Sequence, residues 1–357
     1  MIPILSASDF ELQNWHCRPG DHLFDLGFVK VNAYTNNKYF YAYHICSLNF
    51  FNTSHNADPP EKVIKDLKSK KAFLLLDNSW EGWAAWSGLV TFINDFCIKY
   101  DFPISQVVYA DGNVCIKEAF AEYDFHKVFL SVWPTFIYPT VDRYVNAADG
   151  SRFLCLNRRY SHSRAAIVKW LLENIPAKQA QISFHGLHAE GMSDSDAEFF
   201  ADKLPIVLDN KDGDNKTDVS HQLIYKNHIH IVTETFFYQG KNHVFLSEKS
   251  FKPIVTRNPF IIVGLPNTLK ALREKFNFQT FSPMINEEYD SEMDDVRRME
   301  LIQKEIARLS SLSDKEFAAL IESCEEIVNA NFLRYITLFL TNNYAKESVA
   351  ELEHLIR

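Results

Sequence analysis

Two segments bring together residue types that suit phosphate chemistry. The first is Leu156-Asn157-Arg158-Arg159-Tyr160-Ser161-His162-Ser163-Arg164, set between an apolar run and a helical pattern. Its three arginines fall where a strand ends and a helix begins. Free amides, the positive end of the helix dipole and guanidinium forks all favour anions there, and a diphosphate is the natural ligand. The alternative is that these arginines are solvated or pair with surface acids. The second segment is Val244-Phe245-Leu246-Ser247-Glu248-Lys249-Ser250-Phe251-Lys252-Pro253. Proline has no amide proton and suits a helix's first turn, so a helix is expected to start between Ser247 and Lys252. Lys249 and Lys252 would then lie near free amides, with Glu248 able to accept from ribose hydroxyls and Lys249 able to meet a phosphate. The alternative is a capped amphipathic helix with solvated charges.

A third segment, Asp77-Asn78-Ser79-Trp80-Glu81-Gly82-Trp83, follows a continuous apolar run. Asp77 and Glu81 are carboxylates at the carboxyl end of that run. Trp80, Trp83 and Trp86 recur every third residue and could stack on a sugar or a base; core packing explains them equally well. Asp194-Ser195-Asp196 matches a metal-binding Asp-x-Asp pattern, but it borders a helical stretch over 197–203, where acids cap. His228 and His230 share a strand face without a clear third ligand. No serine lies in a nucleophile-elbow context.

These segments need elements to hold them. Lys71–Asp77 reads as a buried strand, Leu89, Phe92, Ile93 and Phe96 mark a helix, and Gln106–Ala110 is the next strand. Strand, helix, strand implies a parallel sheet. After an Asp149-Gly150 turn the pattern restarts. Strands are expected at Phe153–Leu156, Gln181–Phe184, Ile229–Val232 and Pro259–Val263, with a helix over Arg164–Asn174 packing Ile167, Trp170 and Leu171 inward. Residues 28–50 read as strands in a hairpin turning at Asn36-Asn37. Residues 209–220 read as a polar surface loop, and helices are expected at Met299–Leu309, Lys315–Val328 and beyond Asn331. The expected class is α/β, with two Rossmann-like domains facing a cleft and a helical carboxyl-terminal run. The expected domains are 1–150 and 151–330, with a helix over 331–357 that can pack back on the first.

Composition narrows the partners. The 357 residues carry 46% hydrophobic and 14% aromatic residues, enough for two cores, and only 11 glycines, which argues against a Gly-rich dinucleotide fold. The net charge of −9 speaks against nucleic acid as a bulk partner. A strip of Lys62, Lys65, Lys68, Lys70 and Lys71 is the counter-evidence, and it also reads as a solvated helix face. The six cysteines, Cys17, Cys46, Cys97, Cys115, Cys155 and Cys324, form no CxxC pair. Free thiols in a reducing, cytoplasmic setting follow, with neither a signal peptide nor a membrane span expected.

Several stretches of the second half resemble a phage and bacterial nucleotide-sugar glycosyltransferase family distantly similar to the α-1,3-fucosyltransferases. They are Val232-Thr233-Glu234-Thr235, Phe245 to Ile254, Asn258 to Gly264, Phe278-Gln279-Thr280-Phe281 and Glu287-Glu288-Tyr289-Asp290. The resemblance implies a type B glycosyltransferase architecture with the donor in the second domain. It implies a ribose contact for Glu248 and diphosphate contacts for Lys249 and Arg164, with Arg158 and Arg159 additional to the family pattern; the donor-site candidates here are Arg158, Arg164, Glu234, Glu248, Lys249 and Lys252, and the transfer needs a general base, for which Asp77 and Glu81 are the candidates. In the first half it is limited to the Asp77-Asn78 strand end and the Asp111-Gly112-Asn113 turn. The implied reaction is an inverting transfer from a nucleoside-diphosphate sugar, without cofactor or essential metal. The acceptor hydroxyl would belong to a saccharide, a lipid-linked precursor, a protein or a hydroxymethylated DNA base. The alternative is a non-catalytic nucleotide- or sugar-binding protein derived from such an enzyme. An unrelated doubly wound hydrolase lacks a nucleophile.

Overall fold

A computed structural model describes residues 2–6, 23, 26, 28–30, 37–45, 58–83, 87–135, 137, 150–187, 191–208, 227–238 and 242–357. Trp86, Asn36, Asp149 and the 209–220 loop lie outside the described residues. The chain forms two compact units. One holds Met1–Val132, Gly240–Phe245 and Asn342–Arg357, and the other Trp133–Gln239 and Leu246–Thr341.

The first unit is built on six parallel strands: β1 (Ile2–Ser6), β2 (Phe28–Lys30), β3 (Tyr39–His44), β4 (Ala72–Asn78), β5 (Val107–Asp111) and β6 (His126–Phe129). Their order is β2-β1-β3-β4-β5-β6. β4 is buried along its whole length, as expected for a parallel strand covered on both faces. Helices α1 (Glu61–Lys68), α2 (Ser87–Tyr100) and α3 (Ile116–Ala119) connect the strands. On α2, Leu89, Ile93 and Phe96 are buried and Phe92 is half-buried. A helix over Lys346–Ile356 closes the unit. Its Leu352 joins the core around Phe40, Leu75 and Val128, with Val349 packed against that cluster, and its Ser348 hydroxyl donates to the Phe129 carbonyl.

The expected hairpin is absent. β2 and β3 both pair in parallel with β1, which lies between them. Alternating hydrophobicity reports which face of a strand is buried and says nothing about its partner's direction. The lysine strip is partly neutralised on the spot, with Lys62 on Asp66 at 2.8 Å and Lys68 on Asp101 at 3.0 Å.

The second unit carries four parallel strands, β7 (Phe153–Arg159), β8 (Ala180–Leu187), β9 (Ile229–Thr233) and β10 (Phe260–Val263), in the order β10-β9-β7-β8. Its helices are α4 (His162–Asn174), α5 (Asp194–Phe200), α6 (Glu248–Val255), α7 (Thr268–Phe276), α8 (Asp295–Ser311), α9 (Asp314–Ser323) and α10 (Glu325–Thr341). The α/β class with two parallel sheets and a helical carboxyl-terminal run is thus the class observed. On α4, Ile167 and Leu171 are buried and Trp170 is half-buried. The helix expected over Lys315–Val328 divides into α9 and the start of α10.

Two buried polar hubs fix these sheets. In the second unit Arg298 is 1% exposed. Its guanidinium donates to the carbonyls of Gly264 (3.1 Å), Glu292 (3.0 Å) and Phe237 (2.6 Å) and to Asp295 (2.6 Å). It also lies 4.3 Å from the Phe237 ring centroid. One side chain therefore ties the chain just after β9 and β10 to the start of α8. Replacing it with Met is expected to destabilise this unit by about 3–5 kcal/mol, because four acceptors lose a buried donor. Urea unfolding checks this, and a loss under about 1 kcal/mol would contradict the hub.

In the first unit the hub is Asp111, which has no exposed surface. It accepts from Tyr109 Oη (2.5 Å), Asn78 Nδ2 (2.6 Å), the Asn113 amide (2.6 Å) and the Trp83 amide (3.2 Å). Burial pushes its carboxyl up to about 7, against the pull of these donors. Between the unfolded value near 3.8 and about 7 the folded chain holds a proton that the unfolded chain releases. This contribution to stability is complete below the unfolded value and is lost as pH rises through the folded one. Asp111→Asn is therefore expected to flatten the fall in melting temperature between about pH 4 and about pH 7. An unchanged pH slope would contradict this assignment.

Candidate functional site

The strand order of the second unit reverses between β7 and β9, and ligands of open α/β sheets bind at the carboxyl edge of such a switch point. Here the two strands pair only at Phe153 with Ile229 and Leu154 with His230. Further along in the same register, the Thr233 hydroxyl donates to Asn157 Oδ1. β7 also shifts register against β8 between Asn157 and Arg159. The strand extends through Arg159, so Arg158 and Arg159 belong to its end rather than to the following loop.

Arg164 stands in the first turn of α4, whose N-cap is Ser161. It is 8% exposed. Its two terminal nitrogens make long contacts, Nη1 to the Arg159 carbonyl at 3.3 Å and Nη2 to the Glu234 carbonyl at 3.4 Å. Its Nε is buried with no hydrogen-bond partner. Burial pushes the guanidinium below its ordinary value, Glu234 and Glu248 oppose that shift, and Arg159 adds to it. A guanidinium cannot shed its proton under ordinary conditions, so the site keeps a positive charge whose donors are incompletely used.

Helix α6 starts at Glu248 with Ser247 as N-cap, inside the expected window. Pro253 is not in the first turn, however. It sits in the second, where its missing amide leaves the Lys249 carbonyl without the usual donor. Lys249 Nζ reaches Glu248 Oε1 at 3.2 Å, Ser247 Oγ at 3.0 Å and Thr235 Oγ1 at 3.3 Å. Burial raises the Glu248 carboxyl, but Lys249 and Lys252 outweigh it and leave the group below its ordinary value, ionised at neutral pH. Lys252 is half-buried one turn further on.

Glu234, just past β9, is 2% exposed. Its Oε1 accepts from the Ser247 amide (3.1 Å) and Ser250 Oγ, and its Oε2 from Ser247 Oγ (2.6 Å) and the Thr235 amide (3.0 Å). The structure therefore gathers Arg164, Glu234, Glu248 and Lys249 around the amino end of α6 and the ends of β7 and β9. Arg158 is half-buried at the end of β7, beside this group in the chain.

The first unit holds the remaining candidates. Asp77 is buried at the end of β4, and its Oδ1 accepts from the Ser79 amide at 3.1 Å. Glu81 is half-buried, and its carbonyl accepts from the Gly112 amide at 2.7 Å. This turn is tightly built, since a Cβ on Gly82 would lie 2.3 Å from the Phe245 ring and one on Gly112 would lie 2.5 Å from the Glu81 carbonyl oxygen. Asn113 joins it to the 242–245 segment, donating to the carbonyls of Trp83 (3.0 Å) and Asn242 (3.1 Å) and accepting from the Val244 amide (3.0 Å). His243 Nε2 meets the Gly82 carbonyl at 2.7 Å. Trp80 and Trp83 are half-buried beside it.

Sequence reasoning missed Ser247, Ser250 and Asn113. Ser247 carried a usable signal, a serine directly before a charged helical turn. Ser250 and Asn113 carried none, because their partners are distant in sequence. Asp194 and Asp196 lie in the first turn of α5, capped by Ser193, and Asp196 Oδ2 accepts from Tyr160 Oη at 2.8 Å. Among the described residues, no group of three or more His, Cys, Asp or Glu side chains is placed to hold a metal ion, and no helix is long and apolar enough to cross a membrane.

No family profile matches the chain, and no curated protein matches it. Among solved structures it is similar to an α-glucosyltransferase in complex with UDP and a 13-mer DNA containing a HMU base. That overlay has 9% identity over 94% of this chain and 93% of the other, with a TM-score of 0.33. It is also similar to CalG4, the calicheamicin glycosyltransferase, at 10% identity over 97% of this chain and 98% of the other, again with a TM-score of 0.33.

Proposed function

We propose that the chain transfers a sugar from a nucleoside-diphosphate sugar to a hydroxyl acceptor, by an inverting and metal-independent route. The observation that carries this reading is Arg164, a buried guanidinium with an unbonded Nε at the ends of β7 and β9, next to the capped start of α6. Buried charge with unused donors suits an anion. Two negative charges on a diphosphate match Arg164 and Lys249, with Arg158 and Lys252 adding to the positive field. Glu248, ionised beside Lys249, is suited to accept from ribose hydroxyls.

In the proposed step the acceptor oxygen bonds to the anomeric carbon as that carbon's bond to the diphosphate oxygen breaks. The electron pair leaves with the nucleoside diphosphate, whose growing charge Arg164 and Lys249 stabilise. The acceptor proton passes to a carboxylate, for which Asp77 and Glu81 are the candidates. Glu81 is favoured over Asp77 because it is half-buried rather than buried. The resemblance of the Glu248-Lys249 stretch to the donor motif of the fucosyltransferase-like family supports the same roles. The acidic balance of the chain favours a saccharide, lipid-linked or protein acceptor over DNA.

Lys249→Ala is expected to lower turnover about 10²–10³-fold with little change in melting temperature, as when one donor to a developing charge is removed. Steady-state rates on the matched donor check this, and a normal rate contradicts the assignment. Glu81→Gln is expected to leave nucleoside diphosphate binding unchanged while slowing transfer about 10²-fold or more. A variant that transfers at the wild-type rate removes Glu81 as the base.

A further inference from the structure

Glu234 resembles a donor contact by its place in the sequence, but its surroundings give it another task. A carboxylate offers about four lone-pair sites. All four are taken, by the Ser247 amide and hydroxyl, the Ser250 hydroxyl and the Thr235 amide. No acceptor site remains for a ribose hydroxyl, and at 2% exposure the group is closed to solvent. Three of these four donors belong to the N-cap and first turn of α6. Ser247 Oγ in turn accepts from the Lys249 amide at 3.3 Å and from Lys249 Nζ at 3.0 Å. The Glu234 backbone also contributes, since its carbonyl accepts from Arg164 Nη2.

We propose that Glu234 is a positioning residue, which clamps the amino end of α6 to the end of β9 and so sets Lys249 for a diphosphate. This rests on the donor-site reading above. Ser247 is the link, because Glu234 fixes the serine that orients Lys249. The clamp also brings a compensating negative charge near buried Arg164 without forming an ion pair within 4.0 Å, which leaves the guanidinium available to an anion. Clamping in advance lowers the ordering cost at the moment of binding.

The test is a double-mutant cycle read by calorimetric binding of inorganic pyrophosphate to the full chain. Pyrophosphate has no ribose, so it separates positioning from ribose contact. E234Q replaces an acceptor oxygen with a donor and is expected to weaken pyrophosphate about tenfold or more, while Ser250→Ala weakens it several-fold. E234Q combined with Lys249→Ala should bind within about twofold of Lys249→Ala alone, because both act through the same contact. If E234Q does not fold, the Ser250→Ala and Lys249→Ala pair decides by the same criterion. Additive losses overturn the proposal. So does a variant whose melting temperature falls while its pyrophosphate affinity, measured where it is folded, stays at the wild-type value. A loss seen with nucleoside diphosphates but not with pyrophosphate overturns it too, and points to a ribose contact. Wild-type protein that binds neither pyrophosphate nor any nucleoside diphosphate ends the donor-site reading itself, and the proposal with it.

Discussion

Burying the Arg164 guanidinium is the constraint around which the second unit is arranged. Removing such a charge from water costs several kcal/mol unless partners replace the lost hydration. The partners here are two backbone carbonyls at long range and two carboxylates, Glu234 and Glu248, that act through space. The arrangement sets the side chain across the ends of β7 and β9, with Nη1 on the Arg159 carbonyl and Nη2 on the Glu234 carbonyl. It needs the Glu234 clamp, so that α6 begins where its amides and Lys249 stand beside the same strand ends. An internal ion pair would have satisfied the arginine more fully, and it would also have closed the position to an anion.

The same economy appears at the other hubs. Arg298 and Asp111 each collect several partners from segments distant in sequence, and each fixes the carboxyl edge of a sheet, where loops carry chemistry. In the first unit, Asn113 and Phe245 lock the Ser79–Trp83 turn to the 242–245 segment. Two residues beyond Phe245 the same chain caps α6 with Ser247.

Much of this was legible in the residues. Leu74-Leu75-Leu76 announces a strand buried on both faces, and Leu89, Ile93 and Phe96 announce a helix, because burial imposes period and run length directly. The restart near residue 150, a strand over Phe153–Arg159 followed by a helix over His162–Asn174, was readable for the same reason. What could not be read depends on partners rather than period. β1 is only five residues long, contains Pro3 and shows no alternation, yet it separates β2 from β3 and turns an expected hairpin into a parallel arrangement. Pro253 was expected in a first turn and lies in a second. Glu234 looks like any polar residue after a strand until Ser247 and Ser250 are placed against it. Its role follows from the number of donors that fill its oxygens, which no local pattern encodes.

The central claim is that the ends of β7 and β9, with Arg164 across them, receive a diphosphate. The most direct measurement is calorimetric titration of UDP, GDP, CDP, ADP and dTDP, in metal-free buffer, into the wild-type chain and into an Arg164→Met variant with an unchanged circular dichroism spectrum. The account predicts that at least one of them binds the wild type, and that the variant loses about tenfold or more of that affinity. Binding by none of the five, or equal binding by the variant, would contradict it.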